Sequence, residues 1–261
     1  MKILCVVKQV PDSSAPVKVL GDGSGVDPAG LKLAADPFDE FGIALAVELR
    51  EKGNDVSEIV AVTLGDDKSS EVLRKALAIG ADRGIHINDA SFESQNEIYY
   101  ASVIAEAAKV DGGGFDLVLC GKNNTDLDSG AVGPALAEFM GLVHVGAVTG
   151  LELSGGGFTA RRRIEGAEEV VEGKLPALLT IEKGLVEPRY PSLPNLMKAK
   201  KKPVIVLGAG DIQVDEGLKA ATHFDSISAP PPRPDCKMIE GEAADMAKEL
   251  VRLLREEAKV V

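Results

Sequence analysis

The fold is decided by residues 115–140, which read FDLVLCGKNNTDLDSGAVGPALAEFM. Apart from Asp116, the run Phe115–Cys120 is apolar and short, which is typical of a strand buried on both faces. A polar, glycine-bearing segment follows, and Ser129–Met140 predicts a helix. Because strand, polar loop and helix in this order form the repeating unit of parallel α/β sheets, this stretch indicates that class of fold.

The same alternation runs through the first half of the chain. Asp36 is a good helix N-cap, and Pro37 occupies the first helical position. Strands alternating with helices of this length predict right-handed βαβ units and a parallel sheet flanked by helices. The other predicted strands are Ile3–Val10, Glu58–Leu64 and Ile85–Ile87, and the other predicted helices are Pro37–Lys52, Asp67–Ile79 and Glu97–Lys109.

The pattern changes after Gly141. Thr149–Gly173 predicts a β-hairpin insertion, and Leu175–Glu182 predicts one more strand. The Pro-rich segment Ser226–Pro234 predicts an extended arm, which a final amphipathic helix follows. We therefore expect a nucleotide-binding α/β domain over residues 1–225 and a C-terminal arm with its helix over residues 226–261.

Composition excludes several function classes. The chain has 261 residues and a net charge of −12, which disfavours nucleic acid and anionic membranes as partners. No apolar stretch is long enough to span a membrane. Cys5, Cys120 and Cys236 are widely spaced, so neither a disulfide framework nor a metal site is expected. This cysteine usage predicts a reducing, cytoplasmic compartment. The single histidines, His86, His144 and His223, are not expected to carry a function.

A ligand is expected beyond the carboxyl ends of the strands, near Val7–Val10, Thr63–Asp66 and Cys120–Asn124. The loop Gly121–Gly133 follows a strand and opens a helix, so its free N–H groups favour a phosphate. An ordinary βα loop, with Asp128 or Ser129 as the N-cap, is the alternative. The residues alone do not decide between them.

Four stretches carry a resemblance to one family. Gly184–Lys202, which reads GLVEPRYPSLPNLMKAKKK, closely resembles the signature of electron transfer flavoprotein β subunits. Arg74–His86, Val7–Asp12 and Asp36–Glu40 are also similar to stretches of that family. The likeness runs in order over nearly the whole chain.

The resemblance implies a domain of the adenine-nucleotide α hydrolase-like type and a larger α subunit that shares a redox-active FAD with this chain. It also implies an adenine nucleotide in the β-subunit crevice, either AMP or a second FAD. The segment Val132–Pro134 is more similar to the electron-bifurcating, FAD-holding members, although Ala131 replaces their usual Gln. Asp36 stands where many members have Asn, and Ser13 where some have an aromatic residue. The matching positions are Val6, Asp36, Pro37, Phe38, Asp39, Leu64, Gly121, Lys122, Asn123, Asn124, Thr125, Asp126, Leu127, Asp128, Ser129, Gly130, Ala131 and Val132.

The family acts as an electron carrier in a heterodimer rather than as an enzyme. It accepts electrons from flavin dehydrogenases, such as acyl-CoA dehydrogenases, and passes them to a quinone reductase or another acceptor. The resemblance also implies that residues 184–202, here called the docking segment, contact those partners, and that residues 226–261 pack on the α subunit. Its expected contact residues are Tyr190, Pro191, Leu193, Pro194, Leu196 and Met197.

Two other functions share this fold class: a nucleotide-binding stress-type sensor and an ATP-using enzyme. The enzyme would need a phosphate-attacking motif, and no Walker A sequence is present. The sensor would act without a flavin.

Overall fold

A computed structural model describes residues 1–94, 96–219, 224–233 and 235–261. His223 and the last residue of the predicted arm, Pro234, lie outside the described residues. The described chain divides into two compact units, Met1–Ile227 and Ser228–Val261, which are described separately.

The described strands are β1 Lys2–Val6, β2 Gln9–Pro11, β3 Leu33–Ala35, β4 Glu58–Leu64, β5 Arg83–Ile87, β6 Leu117–Gly121, β7 Val143–Ser154, β8 Gly157–Ile164, β9 Ala167–Lys174, β10 Ala177–Ile181 and β11 Val204–Leu207. The described α-helices are α1 Pro37–Glu51, α2 Ser70–Ile79, α3 Glu97–Val110, α4 Val132–Met140, α5 Leu193–Ala199, α6 Glu216–Lys219 and α7 Ala243–Glu256.

The main sheet has the strand order β11-β5-β4-β1-β6-β10-β7-β8-β9. All pairs from β11 to β7 are parallel, and β8 and β9 add an antiparallel edge. The predicted α/β class is confirmed. From β1 the chain builds outward through β4 to β5 and then crosses back to β6. This reversal places a topological switch point beside β1, and ligands of open α/β sheets bind at such points.

The core forms two layers because side chains alternate along each buried strand. Ile3 and Cys5 of β1 pack in the layer under α1 and α2, whereas Leu4 and Val6 pack in the layer under α3 and α4. Both faces of the central strands are covered, which explains why these strands are continuous apolar runs rather than alternating ones.

The predicted strand Ile3–Val10 is in fact two strands. β1 ends at Val6, and β2 pairs with β3 in a separate two-stranded sheet. The turn occurs because Val7 N–H still donates to Val62 O, whereas Lys8 N–H donates to the Asp39 carboxylate. An apolar run cannot reveal this break, because its cause lies on another element.

Three further boundaries differ from the predictions. The predicted hairpin is a three-stranded meander, β7-β8-β9, which starts at Val143. Helix α4 begins at Val132, so neither Asp128 nor Ser129 is its N-cap. The stretch Asp67–Ile79 starts as a 3-10 turn before α2. In addition, the docking segment, for which the sequence predicts no helix, contains the short helix α5.

The second unit contains α7, whose apolar residues Met246, Leu250 and Val251 are exposed. On its polar side Arg252 pairs with Glu249 and Glu256. The helix is therefore strongly amphipathic, as its sequence spacing predicts.

Candidate functional site

The predicted nucleotide-binding residues come together at the carboxyl edge of the sheet, around the loop between β6 and α4. Three carboxylates from outside this loop hold it in place: Asp36, Asp39 and Glu97. Each comes from a different position at the start of a helix, and each accepts hydrogen bonds from a different part of the site.

Asp39 joins the ends of β1 and β6. It is 2 % exposed and accepts one hydrogen bond from Gly121 N–H at 2.7 Å and one from Lys8 N–H at 2.8 Å. Burial, and secondarily the nearby Asp36, raise the pKa of Asp39 to about 8, although the hydrogen bonds from the two N–H groups lower it. The side chain therefore fixes the backbone geometry at the switch point. Each of its two oxygens already accepts a backbone hydrogen bond, so this side chain does not serve mainly as a ligand contact.

Asp36 links the start of α1 to the middle of the loop. Its Oδ1 accepts from Phe38 N–H at 2.9 Å, which makes it the N-cap that the sequence predicts. Its Oδ2 accepts from Thr125 N–H at 2.7 Å and from Thr125 Oγ1 at 3.0 Å. One fully buried carboxylate thus caps α1 and also holds Thr125 of the loop against the start of that helix.

Glu97 is a site residue that the sequence analysis missed. Its Oε1 accepts from Asn124 Nδ2 at 3.1 Å, while its Oε2 is buried and without a hydrogen bond within the described part of the chain. In sequence Glu97 follows the N-cap Asn96 and is an ordinary first-turn acid. Nothing local signals its contact with a loop more than twenty residues away.

Two lysines at this edge, Lys8 beside the loop and Lys122 within it, are already paired. Lys8 Nζ lies 2.7 Å from Asp126 and 5.6 Å from the centre of the Tyr100 ring. Lys122 Nζ lies 2.6 Å from Glu182 and 5.5 Å from the centre of the Phe38 ring. An anion bound at this edge would therefore be held mainly by hydrogen bonds from backbone N–H groups.

Such donors are present at the start of α4. The N–H groups of Val132 and Gly133 donate to no acceptor among the described residues, as expected for a first helical turn. Gly130 has φ +68° and needs glycine for that conformation. A Cβ at Gly133 would lie 2.2 Å from Thr180 Cγ2, so the helix start packs tightly on β10.

Two cavities border the loop, and a third adjoins one of them. The largest, about 450 Å³, lies beside Leu64 and has Phe92 and Tyr100 among its walls and acceptors from Asp66, Asp89 and Glu93. A narrow cavity next to it is lined by predicted residues that include Val6, Asp39, Gly121, Lys122, Asn123, Asn124, Gly130 and Val132.

The other cavity that borders the loop, of about 340 Å³, touches the predicted residues Leu127, Ser129 and Ala131 together with Glu97 and Phe224. Residues 129–132 thus face cavities on both of their sides. Six predicted residues line none of these three cavities: Asp36, Pro37, Phe38, Thr125, Asp126 and Asp128. Asp128 instead adopts φ 53° and accepts from Asn123 Nδ2.

The docking segment presents an apolar surface to solvent. Tyr190 is 82 % exposed, Leu193 79 % and Met197 62 %. Ser192 caps α5 by accepting from Asn195 N–H, and Pro194 lies in the first turn of the helix. These exposed side chains are carried on a local structure with limited backbone freedom, because proline fixes φ.

Neither a metal site nor a membrane-spanning helix is found in the described part of the chain. Across these residues, no group of three or more His, Cys, Asp or Glu side chains is arranged to hold a metal ion. In the same residues, every helix is too short or too polar to cross a membrane.

Comparison with known proteins gives consistent matches along the chain. Residues 25–212 match the model of the electron transfer flavoprotein domain. The chain is 37 % identical to the electron transfer flavoprotein subunit beta of Bacillus subtilis, covering 100 % of both proteins. It is 39 % identical to the subunit beta of Bradyrhizobium diazoefficiens over 82 % of this chain and 84 % of the relative. It is 36 % identical to that of Sus scrofa over 100 % and 99 %. Full-length matches at this identity show the family, and this chain therefore belongs to the electron transfer flavoprotein β-subunit family.

Proposed function

We propose that this chain forms a heterodimer with an electron transfer flavoprotein α subunit, that the pair shares an FAD, and that it carries electrons between flavin enzymes. The match along the whole chain, including both the site loop and the docking segment, is the observation that carries this proposal. Electrons enter from flavin dehydrogenases such as acyl-CoA dehydrogenases and leave to a quinone reductase or another acceptor. NADH-linked electron bifurcation is the variant to be tested.

The residues present at the carboxyl edge fit an adenine nucleotide. The 450 Å³ cavity has the size of a small-molecule site and combines apolar walls with carboxylate acceptors, which suit a base carrying an exocyclic amine. The free N–H groups of Val132 and Gly133 and the dipole of α4 suit its phosphates. We expect the base beside Leu64 and the phosphates beside residues 130–133.

The choice between AMP and FAD in this crevice depends on the far side of the loop. AMP would use only the cavities on the Leu64 side. A dinucleotide would also need room beyond the phosphates, which the 340 Å³ cavity beside Ser129 and Ala131 offers. The likeness of Val132–Pro134 to FAD-holding members points the same way. We therefore favour FAD over AMP.

The bound flavin supplies the redox chemistry, and the contribution of this chain is position and docking. Lys8 N–H and Gly121 N–H are held by Asp39, and Thr125 by Asp36, so the crevice is organised before a nucleotide enters. Such preorganisation lowers the entropy cost of binding.

The docking surface is formed by the exposed side chains of Tyr190, Leu193 and Met197. Apolar and aromatic side chains held out on a rigid element are typical binding hot spots. The exposed lysines Lys198 and Lys200 at its edge form no ion pair with any described residue, although the chain is acidic, which favours a partner with an acidic rim around an apolar pocket.

The test is reconstitution. Co-expression with an α subunit should give a yellow heterodimer whose flavin is reduced by an acyl-CoA dehydrogenase and its substrate, in rapid-mixing absorbance measurements. The chain alone should be colourless. A stable homodimer that binds ATP and takes up no flavin with any α subunit would overturn the proposal in favour of a stress-type sensor.

A further inference from the structure

The docking segment is fastened to the body of the domain on both sides of its exposed part. Before it, Arg189 makes a two-point ion pair with Glu51, with Nη1 to Oε1 at 2.8 Å and Nη2 to Oε2 at 2.5 Å. After it, Lys202 Nζ donates to Leu77 O at 2.8 Å and to Ala81 O at 2.5 Å. Both contacts span more than 100 residues of sequence, so each ties the segment to an element formed elsewhere.

Each attachment point is the end of a helix. Glu51 is the last residue of α1, and Lys202 satisfies carbonyl groups at the end of α2 and just beyond it. Carbonyl groups at a helix end have no intrahelical partner and attract cations. Two helices that are packed in the core therefore provide fixed points for a segment that is itself almost entirely on the surface.

Between these points helix α5 lies against α2. It has only seven residues, fewer than an isolated helix needs to be stable. Ala199 is the only described residue of α5 that is buried, whereas Leu193 and Met197 are exposed. The direction in which the apolar side chains point is therefore set by this contact with α2 together with what holds the two ends.

We propose that Arg189, through its ion pair with Glu51, is a positioning residue for partner docking: it fixes the angle at which Leu193 and Met197 are presented. This inference rests on the proposed function, because it assumes that the docking segment contacts a flavin dehydrogenase. Arg189 need not touch that partner. Its side chain is occupied by Glu51, and its planar, two-point geometry restricts the orientation of the backbone that carries Tyr190.

An exposed ion pair contributes little to global stability. Loss of the pair should therefore leave the melting temperature nearly unchanged but allow α5 to sample other orientations. Only some of these orientations can dock. The apparent affinity for the dehydrogenase therefore falls in proportion to the fraction of molecules that are in such an orientation. A lysine at position 189 keeps the charge but loses the two-point geometry.

The experiment uses the full heterodimer with an acyl-CoA dehydrogenase as electron donor. Arg189→Gln should raise KM for the heterodimer about three- to ten-fold and leave kcat and flavin content unchanged, with Arg189→Lys in between. Hydrogen exchange over residues 190–198 should become faster. The double exchange Glu51→Arg with Arg189→Glu should restore much of the affinity, since the pair is rebuilt in reverse.

Arg162→Gln is the matched control, since Arg162 forms a comparably exposed pair with Glu169 on the edge of the sheet. It should leave KM unchanged. If Leu193→Ala raises KM but Arg189→Gln does not, the positioning role is wrong while the proposed function stands. If neither variant changes KM, the docking assignment itself fails, and this inference fails with it. Failure of the double exchange to recover affinity would show that Arg189 contacts the partner directly, which also contradicts the inference.

Discussion

Replacing Asp36 tests whether the nucleotide loop is organised by the start of α1. In Asp36→Ala, the helix loses its N-cap, at a cost of about 1 kcal/mol. Thr125 loses an acceptor for its N–H and its hydroxyl, which adds about 1 kcal/mol at this partly exposed position. The sum, about 2 kcal/mol, should lower the melting temperature by roughly 4–8 °C for a domain of this size.

The same change should weaken nucleotide binding. If the loop conformation loses about 1–1.5 kcal/mol of support, the nucleotide must supply that free energy, and its affinity falls about five- to ten-fold. Asp36→Asn keeps one acceptor oxygen and should give a smaller effect. Calorimetric titration of nucleotide-stripped heterodimer with AMP and with FAD measures the change directly.

Asp22→Ala is the matched control for Asp36→Ala. Asp22 accepts hydrogen bonds from Ser24 N–H and Oγ, but only within its own turn. Its loss should leave both affinities unchanged. A lowered melting temperature with unchanged nucleotide affinity in Asp36→Ala would show that the loop does not contact the nucleotide, which contradicts its assignment to the nucleotide site.

Three further predictions concern other parts of the chain. Leu193→Ala should raise KM for a dehydrogenase about thirty-fold, because truncation of a binding hot spot costs about 2 kcal/mol of binding free energy. The melting temperature and the flavin content should stay the same. Val170→Ala, which also truncates an exposed apolar side chain, should leave KM unchanged. The pKa of Asp39 rises from 3.8 to about 8 on folding, so between these values the folded chain holds a proton that the unfolded chain releases. The free energy of unfolding should therefore fall as the pH rises from about 4 to about 8, by at most about 1.4 kcal/mol per pH unit. In urea titrations, the free energy of unfolding of Asp39→Asn should depend less on pH than that of the unchanged chain. Gly133→Ala should displace the start of α4 from Thr180, lowering nucleotide affinity and costing about 1–3 kcal/mol of stability, and an unchanged affinity would contradict the phosphate assignment.

Elements with strong periodicity could be predicted from sequence. Glu58–Leu64 is a strand over the predicted residues, and α1 begins at Pro37 under the predicted Asp36 cap. These elements carry their own signals, namely apolar runs, caps and prolines. Helix α5 was missed because a Pro-rich, basic segment has no apolar period, although Ser192 followed by Leu193 and Pro194 is a helix-start pattern.

The position of the candidate site residues at the strand ends was predictable, but the hydrogen bonds among them were not. Strand ends and the loop Gly121–Gly133 followed from the fold rule for parallel sheets. That Asp39 bonds Gly121 and Lys8, and that Glu97 bonds Asn124, depends on which elements become neighbours in space. Several residues expected to touch the nucleotide are therefore partly or wholly engaged in holding the loop.

Counting the nucleotides in the purified heterodimer tests the assigned crevice most directly. The protein is denatured, and the released FAD and AMP are separated and quantified against protein concentration. We predict one FAD shared by the subunits and one further adenine nucleotide per heterodimer, with FAD favoured over AMP in the crevice beside Val132. A heterodimer that releases a single FAD and no second nucleotide would contradict the assignment of this crevice.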